Sequence, residues 1–308
     1  RTPTAVSNDV TVTLHDAGHI LGSAIVRLEV AGETKRETIV FTGDLGRKNM
    51  PILRDPEVLG GADWLVCEST YGNRLHDDVA FAEDELAEVI RETAAKGGRV
   101  IIPAFAIGRT QELVYHLHRL YDAGRIPNIP VFVDSPMAVS ATDIFRRHPE
   151  CYDTETARDF MDHGDRPFTF PTLTYVKDVE ESKRLNGMRM PCVIVSASGM
   201  CEGGRVLHHL LNGVGDPRNT ILVVGFMAAN TLGRALADRK PVVRIFGDEY
   251  YVKARVKIMN AFSAHADRNE IKDWIKTADG SRLKGIFLVH GEPEAQETLK
   301  TDLQGMGI

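Results

Sequence analysis

Three stretches of this 308-residue chain end an apolar, strand-like run in a side chain that can bind a metal ion. Val12-Thr13-Leu14 leads into His15-Asp16-Ala17-Gly18-His19, Ile39-Val40-Phe41 into Thr42-Gly43-Asp44, and Ile286-Phe287-Leu288-Val289 into His290-Gly291. Neutral imidazole and carboxylate are ligands that zinc accepts. The neighbouring glycines let the backbone turn sharply where each run stops. One such segment reads as a buried strand that happens to end in His or Asp. Three of them, each with its glycine, read as strand ends that deliver ligands to one place. A fourth run, Trp64-Leu65-Val66-Cys67, ends in Glu68, and His265 lies in a loop after the run at 258–262.

The residues around these positions carry a resemblance. Ala17-Gly18-His19-Ile20-Leu21-Gly22-Ser23-Ala24, Phe41-Thr42-Gly43-Asp44-Leu45-Gly46-Arg47 and Glu68-Ser69-Thr70-Tyr71-Gly72 resemble consecutive motifs of the β-CASP branch of the metallo-β-lactamase superfamily, and so do Phe262-Ser263-Ala264-His265-Ala266-Asp267 and Leu288-Val289-His290-Gly291-Glu292. Their order matches, and the resemblance runs from about residue 10 to the end. It implies an α/β protein: a four-layer αββα metallo-β-lactamase sandwich, interrupted by an inserted β-CASP domain with a parallel sheet. It also implies a zinc-dependent ribonuclease of RNA processing or decay, cleaving internally or from a 5′ end, with single-stranded RNA as partner. Two zinc ions are expected in the full-length parent, with His19 on one, His290 on the other and Asp44 bridging both through its two oxygens. A pair of ions can activate a water and clamp the phosphoryl oxygens. Glu68 is then expected to orient His265 and favour its imidazolium form, so that His265 protonates the leaving oxygen as general acid.

The chain departs from the family pattern in one respect. The first metal motif, His-x-His-x-Asp-His, is absent. His116-Leu117-His118 lies within a helical pattern over 110–121, where two positions differ by about 200° and cannot share a metal. That pair reads as structural or solvent-facing, and His15 as a strand-end residue. The chain starts without Met shortly before the His19 motif. It is read as a fragment lacking the N-terminal strands and a last C-terminal strand, and therefore inactive by itself.

The stretch between Glu68 and His265 reads as repeated strand–loop–helix units. Apolar runs at 99–103, 130–133, 192–195 and 220–224 each precede a polar or glycine-bearing loop and a helical pattern. Such alternation predicts a parallel sheet covered on both faces. The expected organisation is residues 1–73 as the first part of the metal-binding domain, 74–248 as the insert and 249–308 as the returning part, with a hairpin from 24–30 and 37–41.

The insert offers phosphate-binding groups. Ser196-Ala197-Ser198-Gly199-Met200 places hydroxyls and backbone N–H groups before a helix, whose N-terminus attracts anions. Arg109 and Arg234 follow glycines at helix starts, and Arg205 follows Gly203-Gly204. Arginine suits phosphate through its planar fork. Ser196, Ser198, Gly199, Met200, Arg109, Arg205 and Arg234 are therefore the expected phosphate-binding set.

Composition agrees with a globular protein: 43% of residues are hydrophobic and 26% charged. No run of 18 apolar residues is present, so no membrane partner is expected. Four cysteines without a Cys-x-x-Cys fit a reducing, cytoplasmic setting, with Cys67 and Cys192 as buried thiols. The net charge of −6 does not exclude RNA, because binding depends on cations placed along one groove. Two other classes compete with the nuclease: a metallo-hydrolase of small esters or thioesters, and a non-catalytic scaffold paralogue in an RNA-processing complex.

Overall fold

The computed structural model describes residues 2–32, 34–58, 60–76, 81–163, 166–277 and 282–308. The chain divides into two units. The first comprises residues 1–76, 150–155 and 264–308, and the second residues 77–149 and 156–263.

The first unit holds a six-stranded sheet. Its strands are β1 (Thr4–Ala5), β2 (Val10–Asp16), β3 (Ala24–Ala31), β4 (Arg36–Phe41), β5 (Trp64–Glu68) and, far along the chain, β14 (Gly285–Val289), in the order β1-β2-β3-β4-β5-β14. β2, β3 and β4 pair antiparallel in succession, which includes the expected hairpin, whereas β5 runs parallel to both β4 and β14. It follows that β2, β4, β5 and β14 all point the same way, and their C-terminal ends lie along one edge of the sheet.

The two faces of this sheet differ. Side chains alternate between faces along a strand, and Ile25, Val40, Leu65 and Cys67 point into a core closed by α8 (Arg268–Thr277) and α9 (Pro293–Gly305) through Ile271, Trp274, Ile275, Leu299 and Leu303. On the other face, register places Leu14, Val26, Phe41, Val66 and Phe287 in one row across five strands. Leu14, Phe41 and Phe287 in that row are exposed.

The second unit holds a parallel sheet of β6 (Arg99–Pro103), β7 (Val131–Asp134), β8 (Leu173–Val176), β9 (Cys192–Ser196), β10 (Thr220–Val224) and β13 (Arg255–Met259), in the order β13-β10-β6-β9-β7-β8. Every residue of β6, β9 and β10 is buried, so both faces of the central strands are covered, as their unbroken apolar runs require. The helices are α1 (Ala82–Ala95), α2 (Arg109–Asp122), α3 (Pro136–Arg147), α4 (Thr154–His163), α5 (Val179–Gly187), α6 (Val206–Leu211) and α7 (Leu232–Ala237). A two-stranded hairpin, β11 (Val242–Ile245) with β12 (Asp248–Tyr251), packs Val243 and Ile245 against α6 and α7.

The crossing back to the first unit falls between residues 263 and 264, later than the sequence position 249. The reason is β13, which carries Arg255 and Lys257 beside Val256 and Ile258 and pairs in register with β10, from Thr220↔Arg255 to Val224↔Met259. Residues 150–155 return briefly to the first unit, where Tyr152 bridges Leu53 and Asp153 N–H donates to the Ile52 carbonyl. His116 and His118 are both buried rather than solvent-facing, because α2 is enclosed on nearly every side. His116 contacts Glu83 at 2.9 Å, and His118 contacts Asp122 at 3.2 Å and stacks on Phe170. Cys67 and Cys192 are buried free thiols.

Candidate metal centre

Four strand ends on one edge of the first sheet supply the side chains. His19 follows β2 in a loop closed by Ser23, whose hydroxyl accepts from the N–H groups of His19 and Ile20 at 3.1 and 3.2 Å. Asp44 follows β4. Gly46, two residues on, donates its N–H to the Ala17 carbonyl at 2.7 Å, and a Cβ there would lie 2.0 Å from the Gly18 oxygen. Only glycine lets the two ligand loops approach this closely. His290 follows β14, and a Cβ on the adjacent Gly291 would lie 2.5 Å from Ser69 Oγ.

The resulting geometry centres on one carboxylate. Asp44 Oδ2 lies 3.8 Å from His19 Nε2, and Asp44 Oδ1 lies 3.3 Å from His290 Nδ1. Each oxygen thus faces a different imidazole. Ligand atoms about 2.1 Å from a tetrahedral zinc stand roughly 3.4 Å apart, close to both separations. Burial, reinforced by the nearby His265, pushes the His19 imidazole down to about 4, which keeps it neutral as a metal ligand must be. Its Nδ1 is buried beside the Ala264 backbone without a well-formed hydrogen bond. Two neutral-capable imidazoles around a carboxylate fit zinc in donor type, spacing and charge. The ring of His265 lies 4.4 Å from that of His19 and 5.7 Å from that of His290.

His265 is held separately. Its Nδ1 donates to both oxygens of the buried Glu68 at 3.0 and 3.1 Å, and Glu68 Oε1 and Oε2 also accept from the N–H groups of Leu45 (2.6 Å) and Thr70 (3.3 Å). Burial would raise the Glu68 carboxyl. The hydrogen bond and charge of His265, with the two N–H donors, outweigh it and hold the group below its ordinary value. With Nδ1 committed to an anion, Nε2 is the nitrogen His265 has left for chemistry. The His265 backbone is clamped as well. Ala266 N–H donates to Leu45 O at 2.7 Å, and the His76 ring nitrogen Nε2 approaches His265 O at 2.9 Å while its ring packs on Tyr71. His15 is paired with Glu57 at 2.5 Å.

Sequence reasoning missed His76 and Thr70. The Thr70 hydroxyl, two residues past Glu68, donates to His290 O at 2.8 Å and lies 3.1 Å from His290 Nδ1. Its place beside Glu68 was the available signal.

The expected phosphate groups all lie in the second unit. Ser196 is buried, its Oγ donating to Asp134 O at 2.8 Å, and Ser198 Oγ accepts from Glu202 N–H at 3.2 Å. Gly199 lies under the Phe105 ring, and Met200 O accepts from Gly233 N–H at 3.0 Å. The three arginines have carboxylate partners within the unit: Arg109 pairs with Glu112, Arg205 with Asp134 at 2.7 Å and Arg234 with Asp238 at 2.9 Å. Arg205 also donates to the carbonyls of Val176 and Lys177. The fork of Arg205 therefore ties the end of the 196–205 loop to β7 and β8.

Asp134 was not anticipated. At the end of β7 its Oδ2 contacts Ser182 Oγ and His209 Nε2, each at 2.6 Å, while Oδ1 takes Arg205, and both Asp134 and His209 are fully buried.

Comparison with known proteins agrees with this architecture. A family model described as the Beta-Casp domain matches residues 110–236, and one described as the Zn-dependent metallo-hydrolase RNA specificity domain matches residues 249–308, together more than half of the chain. The chain is 37% identical over 278 residues to a protein named Ribonuclease TTHA0252 from Thermus thermophilus, covering 90% of this chain and 62% of that protein. It is 32% identical over 301 residues to Transcription termination factor FttA from Methanosarcina mazei, covering 95% of this chain and 46% of that protein. An RNase J-like protein of Methanocaldococcus jannaschii is 32% identical over 293 residues, 93% of this chain and 65% of that protein. The chain thus spans about half to two thirds of the length of these relatives. The sheet with its ligand-bearing edge and the inserted parallel α/β unit are those of a metallo-β-lactamase fold with an insertion. The chain belongs to the β-CASP branch of the metallo-β-lactamase superfamily.

Proposed function

We propose that the protein of which this chain is part is a zinc-dependent ribonuclease that hydrolyses phosphodiester bonds of single-stranded RNA. The observation that carries this reading is the convergence at one sheet edge of His19, Asp44 and His290 beside a His265 imidazole braced by Glu68. His19, Asp44 and His290 would be the residues that hold the metal. Zinc bound there would supply Lewis-acid charge for the phosphoryl oxygens and lower the pKa of a water.

The chain's own residues account for the remaining steps. Glu68 fixes the tautomer and orientation of His265, and His265 Nε2 delivers a proton to the leaving ribose oxygen. Ser198, Gly199 and Met200 present a hydroxyl and backbone N–H groups to substrate phosphate. Arg205 and Asp134 hold that loop in shape, while Arg109 and Arg234 contribute positive charge partly offset by Glu112 and Asp238. The relatives named ribonuclease and RNase J-like favour RNA over a small ester. The three donors His19, Asp44 and His290 are too few to close two zinc sites, so the 308-residue chain alone should be inactive and activity is to be read in the full-length protein.

The test is Asp44→Ala in that protein. RNA cleavage should fall to background, and metal analysis should show the zinc content reduced with it. An Asp44→Ala protein that keeps its metal and its cleavage rate would refute the assignment.

A further inference from the structure

The C-terminal edge of the second unit's sheet carries an aromatic ring that the proposed chemistry does not use. Phe105 lies in the loop between β6 and α2 and is 49% exposed. An isolated exposed apolar side chain is ordinary, but three features set this one apart. Its backbone is fixed, since the Phe105 carbonyl accepts from both the N–H of Thr110 at 3.2 Å and its hydroxyl at 2.7 Å. Its ring is backed by Gly199, where a Cβ would lie 2.9–3.1 Å from three ring atoms. The bare glycine backbone is what lets the ring lie against the 196–200 loop.

The third feature is company. Ile107 and Met137 are also exposed. Gln111 Nε2 donates to Ala106 O at 3.2 Å and Ala138 O at 3.3 Å, which ties the loop bearing Phe105 and Ile107 to the first turn of α3, where Met137 lies. The Phe105 ring thus stands half-exposed against the Gly199 backbone, next in sequence to Ser198. An exposed ring fixed beside the loop proposed to take phosphate suits a nucleotide, whose flat apolar base lies one sugar away from its phosphate.

We propose that Phe105 is a base-stacking residue for single-stranded RNA, holding the nucleobase next to the phosphate taken by the 198–200 loop. The proposal rests on the RNA reading of that loop. Stacking accepts any base, since every base has a π-face, so this contact would add affinity without sequence preference. The fixed backbone means that little ordering entropy is lost on binding.

The experiment is equilibrium binding in the full-length protein, in EDTA so that nothing is cleaved. The probes are a fluorescent single-stranded oligoribonucleotide and its abasic counterpart of equal length. Phe105→Ala and Phe105→Leu should weaken the base-bearing probe by about 5- to 100-fold and leave the abasic probe unchanged. Phe105→Trp should retain binding. Wild-type affinity in Phe105→Leu would overturn the proposal, because apolar contact without stacking would suffice. So would an equal loss for both probes, which would mean that the loop itself had been damaged. Ser198→Glu separates the two readings: it should weaken both probes. If it weakens neither while the Phe105 variants still discriminate, the phosphate-loop reading fails and the stacking stands.

Discussion

Each unit places a carboxylate–imidazole pair at the end of a parallel strand, and the two pairs serve opposite ends. In the second unit, Asp134 and His209 are fully buried, and every oxygen of Asp134 is taken by Ser182, His209 or Arg205. That network is a brace. In the first unit, Glu68 is equally buried, yet its partner His265 keeps an edge open beside His19 and His290, and the Asp44 side chain is 39% exposed. The residue types do not distinguish the two sites. What distinguishes them is whether the imidazole is sealed in the core, as His209 is, or reaches the surface beside other candidate ligands, as His265 does.

That contrast can be broken most directly at His265. His265→Ala in the full-length protein should slow cleavage by about 10²–10⁴-fold while zinc content stays that of wild type. Loss of zinc in this variant would move His265 from proton donor to ligand. The matching change in the brace is Asp134→Ala, which strands Arg205 and His209 without their anion. Stability should fall by about 3–5 kcal/mol, measured by urea denaturation, with zinc content per folded molecule unchanged. A negligible loss would mean that the Asp134 cluster is not the brace its geometry describes.

Acid provides a finer comparison. In the metal-free protein the depressed His19 contributes stability that is present above its ordinary 6.5 and lost as pH falls towards about 4, and Glu68 contributes stability lost below its ordinary 4.5. In the second unit, Asp134 and Glu83 are also held low, the first by His209, Ser182 and Arg205 against its burial and the second by His116, so their contributions are lost only below 3.8 and 4.5. The first unit should loosen at higher pH. Both tryptophans, Trp64 and Trp274, belong to it, so the fluorescence transition should precede the far-UV circular dichroism transition. Coincident transitions would remove the distinction.

Much of the first site was legible because its ligands stand in contiguous motifs with glycines whose role is local. His19, Asp44, Glu68, His265 and His290 were all named from the chain, and the structure brings them to one sheet edge. The parallel sheet of the insert was equally readable, since β6, β9 and β10 are unbroken apolar runs. What could not be read was partnership across distance. A strand such as β13, in which Arg255 and Lys257 alternate with Val256 and Ile258, looks the same at the edge of whichever sheet it joins. Arg205 after two glycines looks like a phosphate ligand until Asp134, 71 residues earlier, is seen to hold it. His76 and Phe105 act through a backbone carbonyl and a glycine far along the chain, contacts that leave no local pattern.

The separation of the site's halves has a kinetic consequence. Glu68 and His265 are 197 residues apart, and Thr70 and His290 are 220 apart. Closing such a loop in a flexible chain is entropically unfavourable, though each doubling of length adds only about 0.6 kcal/mol, and contacts this distant slow folding. The second unit occupies nearly all of the loop. On either side of it, Arg268 N–H donates to Arg74 O and Tyr71 bridges Asp267, so the chain leaves and re-enters the first unit at neighbouring points. Once the second unit has folded, the loop left to close is short. The candidate metal centre should therefore be the last part of the molecule to assemble, waiting on a domain that, among the described residues, supplies none of the ligands proposed for it.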